Sequence, residues 1–245
     1  MDKRNIGRAG TQLSLTLNGG GQASHFVQLC SSAHLFATWD KFKRGKQSKA
    51  DVQFFARKLE ENIFELADEL AHGNYCHGAY QPFIVHDPKR RQIHKAGVRD
   101  RLVHQAVTDI IEPFFEQQFI YDSFSCRKGK GTHAGVKRLR KHLRQASLND
   151  SRTVYGLKCD IKQFFASVDH AILLNLLSIS ITDRKVLELL QEIINSFTET
   201  PGRGIPLGNV TSQLFANIYM HELDWFVKQN LRFKHYIRTA TILFS

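Results

Sequence analysis

Apolar residues recur at helical spacing at Phe55, Leu59, Ile63, Leu66 and Leu70, which predicts a helix within residues 49–72, closed by Gly73 as its C-terminal cap. The period then changes. Residues 81–95, QPFIVHDPKRRQIHK, read as two short strands joined by a turn at Asp87-Pro88. Helical spacing returns over 98–115, with a stop expected near Pro113. A short, mostly apolar strand over 154–159 delivers Asp160. Asp169 is placed to cap a helix running through Leu177, and another helix covers 183 to about 197. A Gly/Pro loop over 198–208 leads into a long helix over 210–229, with Leu214, Ile218 and Phe226 on its inner side. The aromatic, basic stretch 233–238 reads as a strand. Residues 1–33 include the Gly-rich NGGGQ and are expected to form a loose extension.

Composition places this pattern in a globular chain. At 245 residues, 42% of them hydrophobic, it is one large domain or two small ones with a sizeable core. The best apolar run, 172–181, is far too short to span a bilayer, and no apolar stretch follows Met1-Asp2-Lys3-Arg4. Neither a membrane segment nor a secretory signal is therefore expected. Cys30, Cys76, Cys126 and Cys159 are scattered without a CxxC pair, which argues against a disulfide framework or zinc ribbon and for a reducing cytoplasm. The 12 His form no HExxH pattern, so a zinc enzyme is a weak reading.

Charge changes the picture more. The net charge is +11, and the stretch RKGKGTHAGVKRLRKHLRQASLN over 127–149 holds eight Lys and Arg and no acid. Such a block is a solvated face or a polyanion site. Nucleic acid is the favoured reading, because phosphate contacts need clustered Lys and Arg.

Three stretches carry candidate chemistry. In YGLKCDIKQFFASVDH, Asp160 ends a strand and is followed by Ile161 and the pair Phe164-Phe165. Such an acid is costly on a buried strand unless it meets a cation, although a helix cap or surface salt bridge would also explain it. In RGIPLGNVTSQLFANIYMHELD, Gly204 and Gly208 bracket a turn and a helix follows at once, which suits a phosphate or backbone but is also an ordinary junction. In DPKRRQIHKAGVRDRLVHQAV, Lys89, Arg90, Arg91, Lys95, Arg99 and Arg101 surround a hairpin and a helix start. A triphosphate or RNA backbone would want that cluster, and the arginines can equally be structural ion-pair partners.

In this order and spacing, IVHDPKRRQIHKAGVRDRLVHQAV, IYDSFSCRKGKGTHAGV, YGLKCDIKQFFASVDHAIL and GIPLGNVTSQLFANIYMHELD resemble bacterial reverse transcriptases of the group II intron and retroelement kind, over about residues 35–238. PLGNVTSQ is most similar to the branch that holds diversity-generating retroelement enzymes and unclassified, partly phage-defence enzymes. The resemblance implies an α/β right hand: a flexible N-terminal extension over 1–33, fingers over 34–150, and over 151–245 a partial palm of antiparallel sheet backed by helices, with the thumb absent. It implies RNA-directed DNA polymerase chemistry with Mg²⁺, an RNA template, a DNA primer, dNTPs and an accessory protein as partners. Asp160 matches the first metal-binding aspartate, and the carbonyl of Ile161 would help hold the same ion. Phe165 matches the bulky residue that excludes a ribose 2′-hydroxyl. Lys89 and Arg91 match finger residues gripping the triphosphate, while Gly208, Ser212 and Gln213 match the motif lining nucleotide and template. Arg99, Arg101, Arg127, Lys128 and Lys130 are the remaining candidates for nucleic-acid contact.

One departure stands out. The family carries its other carboxylates in a Tyr-x-Asp-Asp turn just after a stretch like HYIR, whereas this chain continues TATILFS, with no acid. One added base before the codon for Thr239 allows that tail to be re-read as Tyr-Arg-Asp-Asp-Phe-Val-Phe. The tail is therefore expected to be an out-of-frame remnant and the chain a catalytically incompetent fragment, since its palm would otherwise keep an unpaired sheet edge. The alternatives are a short protein whose tail closes the sheet differently, and a non-catalytic RNA-binding protein using the basic fingers.

Overall fold

The computed structural model describes residues 24–86 and 90–239, and the backbone of 242–244. Helix α1 (His25–Cys30) starts at Ser24, whose hydroxyl accepts the Phe26 amide, and α2 (Ser32–Phe42) starts at Ser31, which caps His34 in the same way. Both begin inside the stretch expected to be loose. Phe26 and Leu29 recur at helical spacing there and are buried, so this part of the stretch joins the core. The helix expected over 49–72 is two: α3 (Ala50–Ala56) and α4 (Leu59–His72). Asn62 donates to the Phe55 carbonyl at 2.9 Å across the break. Gly73, at φ 72°, closes α4 as expected.

Strands β1 (Gln81–His86) and β2 (Arg90–Lys95) form an exposed antiparallel hairpin, paired from Gln81↔Lys95 to His86↔Arg90. The turn assigned to Asp87-Pro88, and Lys89 with it, lie outside the described residues. The long helix α5 (Val98–Glu116) continues past Pro113 instead of stopping there. Pro113 is exposed, so its ring meets solvent and the helix gives up one N–H near its end. On the inner face of α5, Leu102, Val103, Ala106, Val107 and Ile111 are almost wholly buried and make it the central helix of the core.

Helix α6 (Thr132–Ala146) occupies the basic block, where no helix was expected although Val136, Leu139 and Leu143 recur at helical spacing. It ends in three successive residues of positive φ, Leu148, Asn149 and Asp150. Strand β3 (Leu157–Cys159) and the single turn α7 (Phe164–Ser167) follow. Next come α8 (His170–Ser180), capped by the Asp169 carboxylate, and α9 (Arg184–Asn195), capped by Asp183. Helix α10 (Val210–Trp225) continues into a π-helical turn, Phe226–Asn230. Strands β4 (Tyr236–Arg238) and β5 (Ile242–Phe244) complete a three-stranded antiparallel sheet in the order β3-β5-β4.

The architecture is mixed helices with a small antiparallel sheet. Its main core packs α2, α5, α8, α9 and α10 together, and Val186, Leu190, Ile193 and Ile194 form the buried face of α9. Where an unpaired sheet edge was expected at the palm hairpin, Ile242–Phe244 pair with both β3 and β4. Backbone pairing requires no particular side chains, so the tail as written can fill that place. Among the described residues, no helix is long and apolar enough to cross a membrane.

Candidate active site

The end of β3 lies level with the end of β4 and the start of β5: Cys159 pairs with Ile242, Ile242 pairs with Arg238, and Asp160 follows at once. The strand was expected to be buried. It is exposed, as are Asp160 and Ile161, so this carboxylate needs no cationic partner to remain in the fold. Gln163, at φ 52°, then turns the chain into α7. There Phe164 and Phe165 lie half-buried, their rings edge to face at 5.5 Å. Two backbone bonds hold α7 in place, from Ile205 to the Phe165 carbonyl at 2.9 Å and from Gly204 to the Val168 carbonyl at 2.8 Å.

The loop before α10 also anchors the hairpin. The His94 amide donates to the Leu207 carbonyl at 3.1 Å, and Asn209 Nδ2 donates to the His94 carbonyl at 3.3 Å. Between them sits Gly208, at φ 118°, where a Cβ would come within 2.7 Å of Ile93 Cγ2. Glycine is required here for both backbone and contact. The loop over 204–209 thus joins Phe165 to Gly208 and the root of the hairpin, and Asp160 precedes Phe165 by five residues. Arg91 projects from β2 and is exposed. On the first turn of α10, Ser212 is buried with no partner for its Oγ among the described residues. Gln213 is exposed and borders a small cavity of about 40 Å³ with Glu112, Glu116 and Cys126.

Asp160 and the Ile161 carbonyl offer hard oxygens suited to Mg²⁺, which keeps several waters. Among the described residues no three His, Cys, Asp or Glu are grouped to hold a metal. The buried acids are engaged elsewhere: Asp100 by Tyr75 and Arg99, Asp122 by Arg138 and Lys228, and Asp224 by Tyr236 and Arg238. The residues present fit one largely hydrated divalent ion and do not fit a pair.

Most of the sequence-selected arginines turn inward. Arg99 pairs with Glu69 and donates to the Cys76 carbonyl and Asp100 at 3.1 Å each. Arg101 donates to Asp51 at 2.7 Å and lies over the Phe42 ring. Arg127 is buried, grips Glu116 with two nitrogens, and donates to the carbonyls of Ile120 and Ser123. Lys130 donates to the Tyr121 carbonyl at 2.9 Å, and burial, helped by the charge of Arg127, pulls its pKa below the ordinary lysine value. Lys128 stays exposed.

Sequence reasoning missed the network behind β4. Arg238 donates through Nε to both oxygens of Asp224 at 2.8 and 2.9 Å, through Nη1 to Asn217 at 3.0 Å, and through Nη2 to Ser123 at 2.7 Å. Tyr236 donates to the same Asp224 at 2.5 Å, and burial followed by the carboxylate's charge raises its pKa. A second chain links His77 to His104 at 3.0 Å and His104 to the Thr211 hydroxyl at 2.6 Å. Burial, then the neighbouring His77, pushes the His104 pKa down to about 3. The only signal in the sequence was the presence of polar residues on otherwise apolar faces.

The family described as "Reverse transcriptase (RNA-dependent DNA polymerase)" matches residues 86–240. The group II intron-encoded protein LtrA of Lactococcus lactis subsp. cremoris is 27% identical over 180 residues, covering 69% of this chain and 29% of LtrA. Protein YkfC of Escherichia coli K12 is 25% identical over 182 residues, 70% of this chain and 47% of YkfC. An uncharacterized 91 kDa protein in the cob intron of Schizosaccharomyces pombe is 31% identical over 140 residues, 55% of this chain and 16% of that protein. The chain thus spans less than half the length of these relatives.

Proposed function

The chain belongs to the reverse transcriptase family, of the intron-encoded and retroelement kind, and from that premise we propose that it forms the fingers and part of the palm of an RNA-directed DNA polymerase. Fingers cover residues 34–150 and palm residues follow from 151. The observation that supports the proposal is the pairing of Cys159 with Ile242 and of Ile242 with Arg238, which brings the strand end that precedes Asp160 level with the end of β4.

On this reading Asp160 and the Ile161 carbonyl hold a divalent ion, as the family generally does. Such an ion neutralises phosphate charge when bound. Phe165 stands beside the sugar and favours dNTPs. Arg91, with Lys89 of the hairpin turn, grips the triphosphate, Gly208 and Gln213 border the nucleotide, and the exposed Lys128 serves the template side, whereas Lys130 and the buried Ser212 face the protein. Arg99, Arg101 and Arg127 instead hold the fold together, since their guanidiniums are committed to partners in the protein.

A single carboxylate also favours a second reading, in which this chain holds RNA without joining nucleotides. The test is Mn²⁺ binding followed by electron paramagnetic resonance, beside RNA-templated dNTP incorporation. The expected result is weak Mn²⁺ binding that Asp160→Ala removes and Thr241→Asp strengthens, with no incorporation by the unaltered chain. Mn²⁺ binding indifferent to Asp160 overturns the metal assignment, and robust Asp160-dependent synthesis overturns the second reading.

A further inference from the structure

The acid-free block of 127–149 divides into two sets once folded. Arg127, Lys130 and Arg138 turn inward, onto Glu116, the Tyr121 carbonyl and Asp122. Lys137, Arg140, Lys141 and Arg144 are exposed, and none has an ion pair or side-chain hydrogen bond among the described residues. Their spacing stacks them on one face of α6 and makes four like-charge pairs at i,i+3 and i,i+4, each of which weakens an isolated helix. A fifth unpaired cation, Lys234, faces them from the segment before β4, and the five line one groove of about 580 Å³.

That segment is fixed in place. Lys228 donates to the Lys234 carbonyl at 3.1 Å while also reaching Asp122 at 3.0 Å, and the neighbouring His235 ring meets the buried His142 ring at 5.2 Å. Two separate parts of the chain therefore hold five like charges around one concavity, with no acid among its described lining residues. Lys234 precedes β4, whereas Thr239 follows it, so the groove lies at the opposite end of that strand from Asp160.

We propose that this groove binds the phosphodiester backbone of RNA, as a second contact remote from the candidate active site. It rests on the proposed function only for the choice of RNA as the polyanion. The C-terminal end of α6 carries the negative end of its dipole, so helix amides contribute nothing here and the side-chain cations supply the attraction. Binding is accordingly independent of base sequence and of divalent ions, and steep in salt.

The test uses the full chain, a labelled single-stranded RNA and no divalent metal or nucleotide, so it reads this groove whether or not Asp160 supports synthesis. Lys137→Gln, Arg140→Gln, Lys141→Gln and Arg144→Gln are combined. All four side chains are exposed, and circular dichroism checks the fold. The expected result is a roughly tenfold or larger loss of affinity, with the slope of log affinity against log salt shallower by about 3, near 0.7 for each lost phosphate contact. Lys234→Gln alone should lower the slope by about 0.7. A control combining Arg44→Gln, Lys49→Gln and Arg57→Gln removes exposed charge elsewhere. Equal losses in the control, or an unchanged slope in the groove variant, overturn the proposal. Displacement of the RNA by polyglutamate at equal charge concentration overturns it in favour of an acidic protein partner.

Discussion

Strand β4 is buried over its whole length, with Arg238 3% exposed, whereas β3, the other outer strand of the same sheet, leaves Leu157 62% exposed and delivers Asp160 into water. Behind β4 every charge has a partner: Arg238 meets Asp224, Asn217 and Ser123, and Tyr236 closes the same carboxylate. Beside Asp160 the described residues hold no comparable network. The contrast separates two uses of an acid. Asp224 is fully enclosed and fixes strand position, while Asp160 is exposed and can meet a cation.

The largest test of that contrast is Arg238→Ala. It strands Asp224 without its cation in a dry interior, and a loss of about 3–5 kcal/mol is expected. Thermal unfolding should fall by roughly 10 °C for a chain of this size. A smaller fall would mean that water reaches Asp224 and that β4 is no better enclosed than β3.

The next test is pH. Unfolded His104 takes up a proton below about 6.5, while the folded, buried ring stays neutral down to about 3. Its contribution is therefore intact above pH 6.5 and is lost as pH falls toward 3. At pH 5 the cost should be about 2 kcal/mol, and His104→Gln should flatten that part of the stability curve. Denaturant titrations at pH 7 and 5 measure it, and an unchanged slope in the variant removes His104 as the source.

On the exposed side, Gly208→Ala meets both the φ of 118° and the Ile93 methyl, and should cost about 1–3 kcal/mol. Ile93→Ala added to it should restore only the part due to contact. If the single variant is silent in thermal unfolding, the hairpin is not clamped at that glycine. The smallest effect is expected at Asp160→Ala, within about 0.5 kcal/mol of the parent in stability, because the side chain is exposed. A large loss there would erase the distinction between the two strands.

Local signals carried much of this fold. Asp169 and Asp183 precede apolar runs and cap helices, Gly73 ends one, and the two short runs on either side of Asp87-Pro88 pair as strands. The place of Asp160 at a strand end was legible too, because a short apolar run stops at a single acid. Helix α6 was hidden by its composition, since five basic residues leave only Val136, Leu139 and Leu143 as an apolar stripe. The partners of Arg99, Arg127 and Arg238 were hidden for a different reason. A guanidinium reads the same in sequence whether its anionic partner is a ligand's phosphate or a carboxylate brought close only by folding. Burial decides between them, and burial is a property of the whole chain.

The pairing of Cys159 with Ile242 has a consequence in time. A ribosome adds roughly 5–20 residues each second, so β3 emerges several seconds before its partner strand exists. The pairs α8 with α9 and α2 with α4 rely on nearer contacts and can condense meanwhile. Loop closure over that long separation is slow compared with helix formation. The strand end that presents Asp160 is therefore among the last parts of the molecule to acquire its shape, and any delay in synthesis after β4 prolongs the interval in which an open strand edge is offered to other chains.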